Sequence, residues 1–245
     1  MAQQASSPPR GAGAGARTHR PARLLGLVLA AFLLVEGLLL GLGLVITRVL
    51  ERSALARQEL AFERTLLAER TPLWNEVTHY GSLLGSTVTV VVLTAVACLL
   101  LARSGHGPRL PVFLAVAVAG QTALFLLASM VVDRMRPPIP QLDIAPPTSS
   151  FPSGHTAATI ALTCGVALAL ARARPGHRLR ALLWLLAVAL PAFVLLSRLY
   201  RGMHWPTDVA ASVVYTLVWL VLLRAILLPR GIAGRPAATR EPDPP

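Results

Sequence analysis

The chain alternates long apolar runs with short polar breaks. Leu24 to Thr47 is uninterrupted by more than one charge, and about 20 apolar residues suffice for a helix to cross a bilayer. The run is too long for a signal-peptide core and lacks a small-residue cleavage pattern, so it reads as a retained first span. Further runs predict spans near Gly81 to Ala102, Leu110 to Val132 and His155 to Leu170. A fifth ends at Leu196 with Pro191 as a kink inside it, and a sixth covers Thr207 to Leu228. The expectation is an all-α, polytopic membrane helix bundle of six transmembrane spans.

Between Arg48 and Tyr80 the pattern changes. Leu55, Leu60, Phe62, Leu66, Leu67, Trp74 and Val77 are spaced among balanced Arg and Glu, which predicts an amphipathic helix lying on the bilayer. Thr71-Pro72 offers a helix cap followed by a first-turn proline. Residues 1–23 and 229–245 are rich in Ala, Gly, Pro and Arg and read as disordered basic tails. This divides the chain into tail, first span with amphipathic segment (24–80), membrane core (81–228) and tail. Gly37 and Gly41 form a small-xxx-small step, either ordinary span composition or a packing face for another helix, including a second copy of the chain. Glu36 lies mid-span, where a charge costs about 2.5 kcal/mol or more, so it should face protein or be protonated.

Composition sharpens this picture. Of 245 residues, 54% are apolar and 14% charged, which excludes an ordinary soluble domain. The net charge of +12 comes from 23 arginines and no lysine. Their position at the ends of apolar runs fits a membrane protein rather than a nucleic-acid binder. Fourteen flank the termini and the loops on that side against nine opposite, so both termini are expected in the cytoplasm of a multi-pass cell-membrane protein. Cys98 and Cys164 fall inside apolar runs and read as buried small hydrophobes, not a disulfide or metal pair.

The chemistry gathers in short breaks. Ser197 to Asp208 is a polar hinge in which His204 and Asp208, four apart, can meet across a helical turn. Asp208 is expected to hold the imidazole tautomer, freeing the other ring nitrogen as nucleophile or base. An isolated pair at this spacing more commonly does no more than cap a helix. In Phe151-Pro152-Ser153-Gly154-His155, Ser153 can cap the fourth span, and Gly154 lets an oxyanion approach the free N–H groups there. Arg136 and Arg198 suit phosphate oxygens, and each also suits a headgroup anchor. Six spans bring all of these to one external face.

The breaks resemble the signature of the type 2 phosphatidic acid phosphatases, or lipid phosphate phosphatases, relatives of the vanadium haloperoxidases. That signature is Lys, six residues, Arg-Pro; then Pro-Ser-Gly-His; then Ser-Arg, five residues, His, three residues, Asp. The second and third parts are complete as Pro152 to His155 and Ser197 to Asp208, the first only as Arg136-Pro137. The resemblance, over roughly residues 81 to 228, implies a phosphatase-type helical core that hydrolyses a lipid phosphate through a phosphohistidine. It implies His204 as nucleophile, Asp208 as its orienting partner and His155 as acid, with Arg136, Ser153, Gly154 and Arg198 holding phosphoryl oxygens. It implies no metal and no cofactor, with a membrane lipid as partner: phosphatidate, phosphatidylglycerophosphate or polyprenyl pyrophosphate. A phosphotransferase, a haloperoxidase or a silent membrane scaffold or transporter are the competing readings. Ser129 stands where the family has lysine; Arg134 and Arg201 are the nearby cations that could compensate. Ser212 replaces a frequent glycine and is still small.

Overall fold

The breaks between apolar runs become helix ends, and the ends of the helices Gly154–Leu170, His177–Tyr200 and Pro206–Leu227 build the site. The computed structural model describes residues 15–145, 147–173 and 176–229. Helix α1 (Gly15–Val45) continues into a π-helical turn, Ile46–Leu50. It starts nine residues earlier than the predicted span, so residues 15–23 are helical rather than a disordered tail: once a span has nucleated a helix, each added residue gains a bond for little entropy. Residues 1–14 of that tail and 230–245 of the other lie outside the described residues. On α1, Ala31, Val35 and Leu39 face the bundle, as does Ile46 of the π-helical turn, while Leu25, Leu29, Leu33 and Leu38 are exposed. That is the apolar-on-all-sides pattern of a span with one face in protein and one in lipid. Glu36 takes the protein side, with no hydrogen-bond partner for either carboxylate oxygen among the described residues. Gly37 and Gly41 have open space where a Cβ would be. The close approach is made by Gly43, against Val132 and Phe151.

The polar segment forms α2 (Ala54–Ala68) and then α3 (Pro72–Leu84), whose N-cap is Thr71, accepting from the Trp74 N–H at 3.2 Å. The expected span from Gly81 does not run straight. Helix α3 ends at Gly85, and α4 (Thr87–Arg103) starts afresh with Ser86 as its cap, bent by 49° from α3. The bend brings α3 onto α7 and α4 onto α6. A Cβ on Gly81 would strike the Ser197 hydroxyl, and one on Gly85 would lie 2.9 Å from His155 Cβ and from Val194.

Then come α5 (Arg109–Val131), α6 (Gly154–Leu170), α7 (His177–Tyr200, continuous through Pro191) and α8 (Pro206–Leu227). The expected six spans are found in part. Four helices, Pro21–Leu50, α5, α7 and α8, are long and apolar enough to cross a membrane, and the bent α3–α4 pair counts as a fifth when taken as one span. Helix α6 has 17 residues, about 26 Å at 1.5 Å per residue, short of a hydrocarbon core of about 30 Å. It packs against α4, α5, α7 and α8 and is mostly buried, so protein rather than lipid surrounds it and full span length is not required. Among the described residues there is no strand. Around α6 the bundle is locked by Trp219 of α8, which sits over Gly120, donates to the Ala117 carbonyl at 3.0 Å and meets Phe32 edge-on.

Candidate active site

The hinge between α7 and α8 is tighter than its polarity suggests. Helix α7 closes with Gly202 N–H on the Leu199 carbonyl (2.9 Å) and Met203 N–H on the Arg198 carbonyl (3.1 Å), the paired bonds of a Schellman stop. Gly202 holds φ +69°, a value that favours glycine. Two residues after His204, Pro206 opens α8, and the Asp208 carboxylate reaches back to the Trp205 N–H at 2.9 Å. His204 is thus pinned between a helix stop and a helix start, and it is buried.

Its predicted partner is not the one that holds it. His204 Nδ1 lies 2.7 Å from the Ser150 carbonyl oxygen and 3.9 Å from Asp208 Oδ2. A carbonyl only accepts, so Nδ1 carries the proton and Nε2 keeps its lone pair. Burial, with Arg198 and Arg136 nearby, holds the imidazole well below its ordinary pKa, which keeps Nε2 unprotonated near neutral pH. Asp208 is turned away because three other donors claim it: the Ser150 hydroxyl, the Trp205 N–H, and Arg134 Nη1 at 2.5 Å. Arg134 Nη2 in turn binds Glu59 of α2 at 2.9 Å, and Glu59 accepts from the Thr207 N–H at 2.7 Å. Asp208 therefore stands beside His204 as the ion-pair partner of Arg134 rather than as its direct hydrogen-bond partner.

In front of His204 opens a cavity of about 460 Å³, into which Arg136, Gly154, His155, Arg198 and His204 all face. The N–H groups of Gly154, His155 and Thr156 precede the first bond of α6, from Ala157 to the Ser153 carbonyl, so they are free donors at a helix start. Ser153 departs from expectation. It occupies the cap position without capping: its hydroxyl meets Thr156, its N–H donates to Ser212, and it is wholly buried behind the cavity. Ser212 is thus a link, since its hydroxyl also donates to the Asp208 carbonyl at 2.8 Å. Gly154 has a structural reason too, because the Phe125 ring lies 3.0 Å from where its Cβ would be.

Neither nearby cation replaces the family's lysine. Arg134 is spent on Asp208, Thr207 and Glu59, and Arg201 on Asn75, Thr78, Leu142 and Asp143. Among the described residues, the Ser129 hydroxyl bonds only back to the Leu126 carbonyl of its own helix. Sequence reasoning also missed Ser150, Glu59 and Asp143. Asp143 sits in the non-helical stretch 132–145 and Ser150 in 147–153, and Asp143 binds Arg198 at 2.5 Å and Arg201 at 2.7 Å. The one available signal was that an acid and a serine lie between two motif parts.

A family model, the PAP2 superfamily, matches residues 109–231. The chain belongs to the PAP2 superfamily. A solved PAP2-type transmembrane phosphatidylglycerolphosphate phosphatase from Bacillus subtilis has the same fold, with TM-score 0.69 and 21% identity over 81% of this chain and 94% of that one. Among curated proteins, none matches the chain by sequence. The PAP2 match begins at the first residue of α5, so α5 to α8 are the part the family model covers, while α3 and α4, which precede it, add Ser82, Val90 and Val91 to the cavity lining.

Proposed function

We propose that this PAP2 protein is a multi-pass membrane phosphatase that hydrolyses the phosphomonoester or pyrophosphate of a lipid through a phosphohistidine. The observation that carries the reading is the cavity's two-sided lining. Its inner end holds two imidazoles, two guanidiniums and a helix start, while Val90, Val91, Val118, Phe125 and Leu126 form its wall. Val91 and Leu126 are themselves exposed on the bundle's outer face, where lipid tails would run. A phosphate at the inner end and an acyl chain along the wall describe one molecule.

His204 Nε2 attacks phosphorus, and Arg136, Arg198 and the α6 N–H groups hold the oxygens on which charge spreads. Burial and the Arg198 and Arg136 charges push His155 down to about 3, so it gains its proton with the phosphate, whose negative charge offsets those arginines. It gives that proton to the departing alkoxide, then takes one from the water that cleaves the phosphohistidine. Asp208, 3.9 Å from Nδ1, stabilises the positive imidazole ring that phosphorylation creates. The donors are arginine, imidazole and backbone, so the reaction needs no metal. The Bacillus protein's substrate makes phosphatidylglycerophosphate the first lipid to try, with phosphatidate and polyprenyl pyrophosphate sharing the group the inner end would read. The arginine asymmetry supports cytoplasmic termini and a site on the external face.

Purified protein in mixed micelles should release phosphate from at least one of these lipids. EDTA should leave the rate unchanged, and His204→Ala should lower it about 10³-fold or more. Activity that vanishes in EDTA and returns with magnesium would sink the proposal.

A further inference from the structure

Resting on the reading of Arg198 as a phosphoryl-oxygen ligand, a second question is what occupies Arg198 between substrates. Its side chain is 4% exposed, and a guanidinium removed from water without a partner costs several kcal/mol. Asp143 is the charged partner, and the Ser82 hydroxyl also accepts from Arg198 Nη1. Asp143 Oδ2 accepts from Arg198 Nη1 at 2.5 Å and from the Ser82 hydroxyl at 2.8 Å, and its Oδ1 lies 2.7 Å from Arg201 Nη2. Burial alone would raise the Asp143 carboxyl, but the Arg201 hydrogen bond and the Arg198 charge outweigh it and hold it at about 2. The carboxylate is therefore ionised at any working pH. It also lines the same cavity as Arg136, His155 and His204, so its oxygens stand where phosphoryl oxygens would meet Arg198.

We propose that Asp143 is the resting counter-ion of the phosphoryl site, exchanged on Arg198 for the substrate's phosphate and returning as inorganic phosphate leaves. No bond is made or broken in the exchange; one anion replaces another on a buried cation. Arg201 retains the displaced carboxylate, because its remaining bonds to Asn75, Thr78 and Leu142 hold it outside the cavity. Asp143 thus sets the affinity for every anion at the site, lowering it by the fraction of time Arg198 is already taken.

A brace that merely positions Arg198 predicts the opposite sign, which makes the test decisive. Binding of inorganic phosphate and of vanadate to the purified full chain is measured by thermal protection in detergent, and vanadate also by inhibition of lipid turnover. Asp143→Asn keeps the shape and an acceptor but removes the charge, and should bind both anions about tenfold tighter, with KM for the lipid lowered and kcat lowered by slow phosphate release. Asp143→Glu should stay within about threefold of wild type. Should the Asn variant not fold, Ser82→Ala, which removes the hydroxyl shared by Asp143 and Arg198 and keeps every charge, should bind both anions tighter than wild type. Equal or weaker anion binding in the variant measured overturns the counter-ion role. Arg198→Gln separates this from failure of the underlying reading: if it binds phosphate as wild type does, Arg198 is not a phosphoryl ligand and both proposals fall together.

Discussion

Ser150 is the residue through which two catalytic candidates communicate. Its carbonyl accepts a hydrogen bond from His204 Nδ1–H and its hydroxyl donates to Asp208. Ser150→Ala keeps the carbonyl, so the tautomer persists, but it removes one of three donors that hold Asp208. A hydrogen bond to a charged group contributes about 1.5–3 kcal/mol, so kcat should fall about 10- to 100-fold with KM little changed. Single-turnover kinetics check this. A loss as large as that of His204→Ala would mean that Ser150 sets the nucleophile itself rather than the charge beside it. At this scale the sequence told which residues matter more clearly than how they touch. The spacing of His204 and Asp208 was legible; the claim of Ser150, 54 positions away, on the same ring nitrogen was not.

Helix α2 shows the same limit for an element. Its alternation of Leu and charge reads as a helix on the bilayer surface, yet two of its acids point inward: Glu59 into the Arg134 network, and Glu63, fully buried, with no partner for its carboxylate among the described residues. Burial pushes Glu63 up to about 8; Arg70 opposes this, and Glu59 and Asp208 add to it. A carboxyl raised in the folded state adds stability that is full below its unfolded value, near 4.5, and lost as pH rises toward 8. Glu63→Gln should therefore unfold like wild type below pH 4.5 and at increasingly higher temperature than wild type between pH 4.5 and 8, levelling off above. Thermal unfolding in detergent from pH 4 to 9 measures the difference. A gap that does not grow with pH would show that Glu63 is ionised in the native protein. The helix starts at Thr71-Pro72 and Pro206 were readable because a cap and a first-turn proline act locally. The α3–α4 bend was not, because Gly81 and Gly85 are required by Ser197, His155 and Val194, which lie far along the chain.

For the whole molecule, the arginine count acquires a sharper meaning. Among the arginines assigned to the outer side, Arg134, Arg198 and Arg201 are paired with carboxylates, so their charge is offset within the protein. The free positive charge is more one-sided than composition indicates, which supports cytoplasmic termini. With Cys98 and Cys164 replaced by alanine, Pro147→Cys should react with an impermeant thiol reagent applied to intact cells, and His177→Cys only after permeabilisation. Both positions are exposed. The reverse labelling would place the cavity in the cytoplasm.

Apolar run length, arginine placement and three spaced motifs were enough to settle an α-helical membrane protein of the PAP2 superfamily, because those signals are local or add along the chain. They also singled out His155, His204, Arg136 and Arg198, which the fold gathers around one cavity. What tertiary structure alone decided is who neutralises whom. Arg134 serves Asp208, Glu59 serves Arg134, and Asp143 serves Arg198. Buried charges must be paired wherever the bundle buries them, and the partner is chosen by proximity in space, which for these three pairs means separations of 55 to 75 residues.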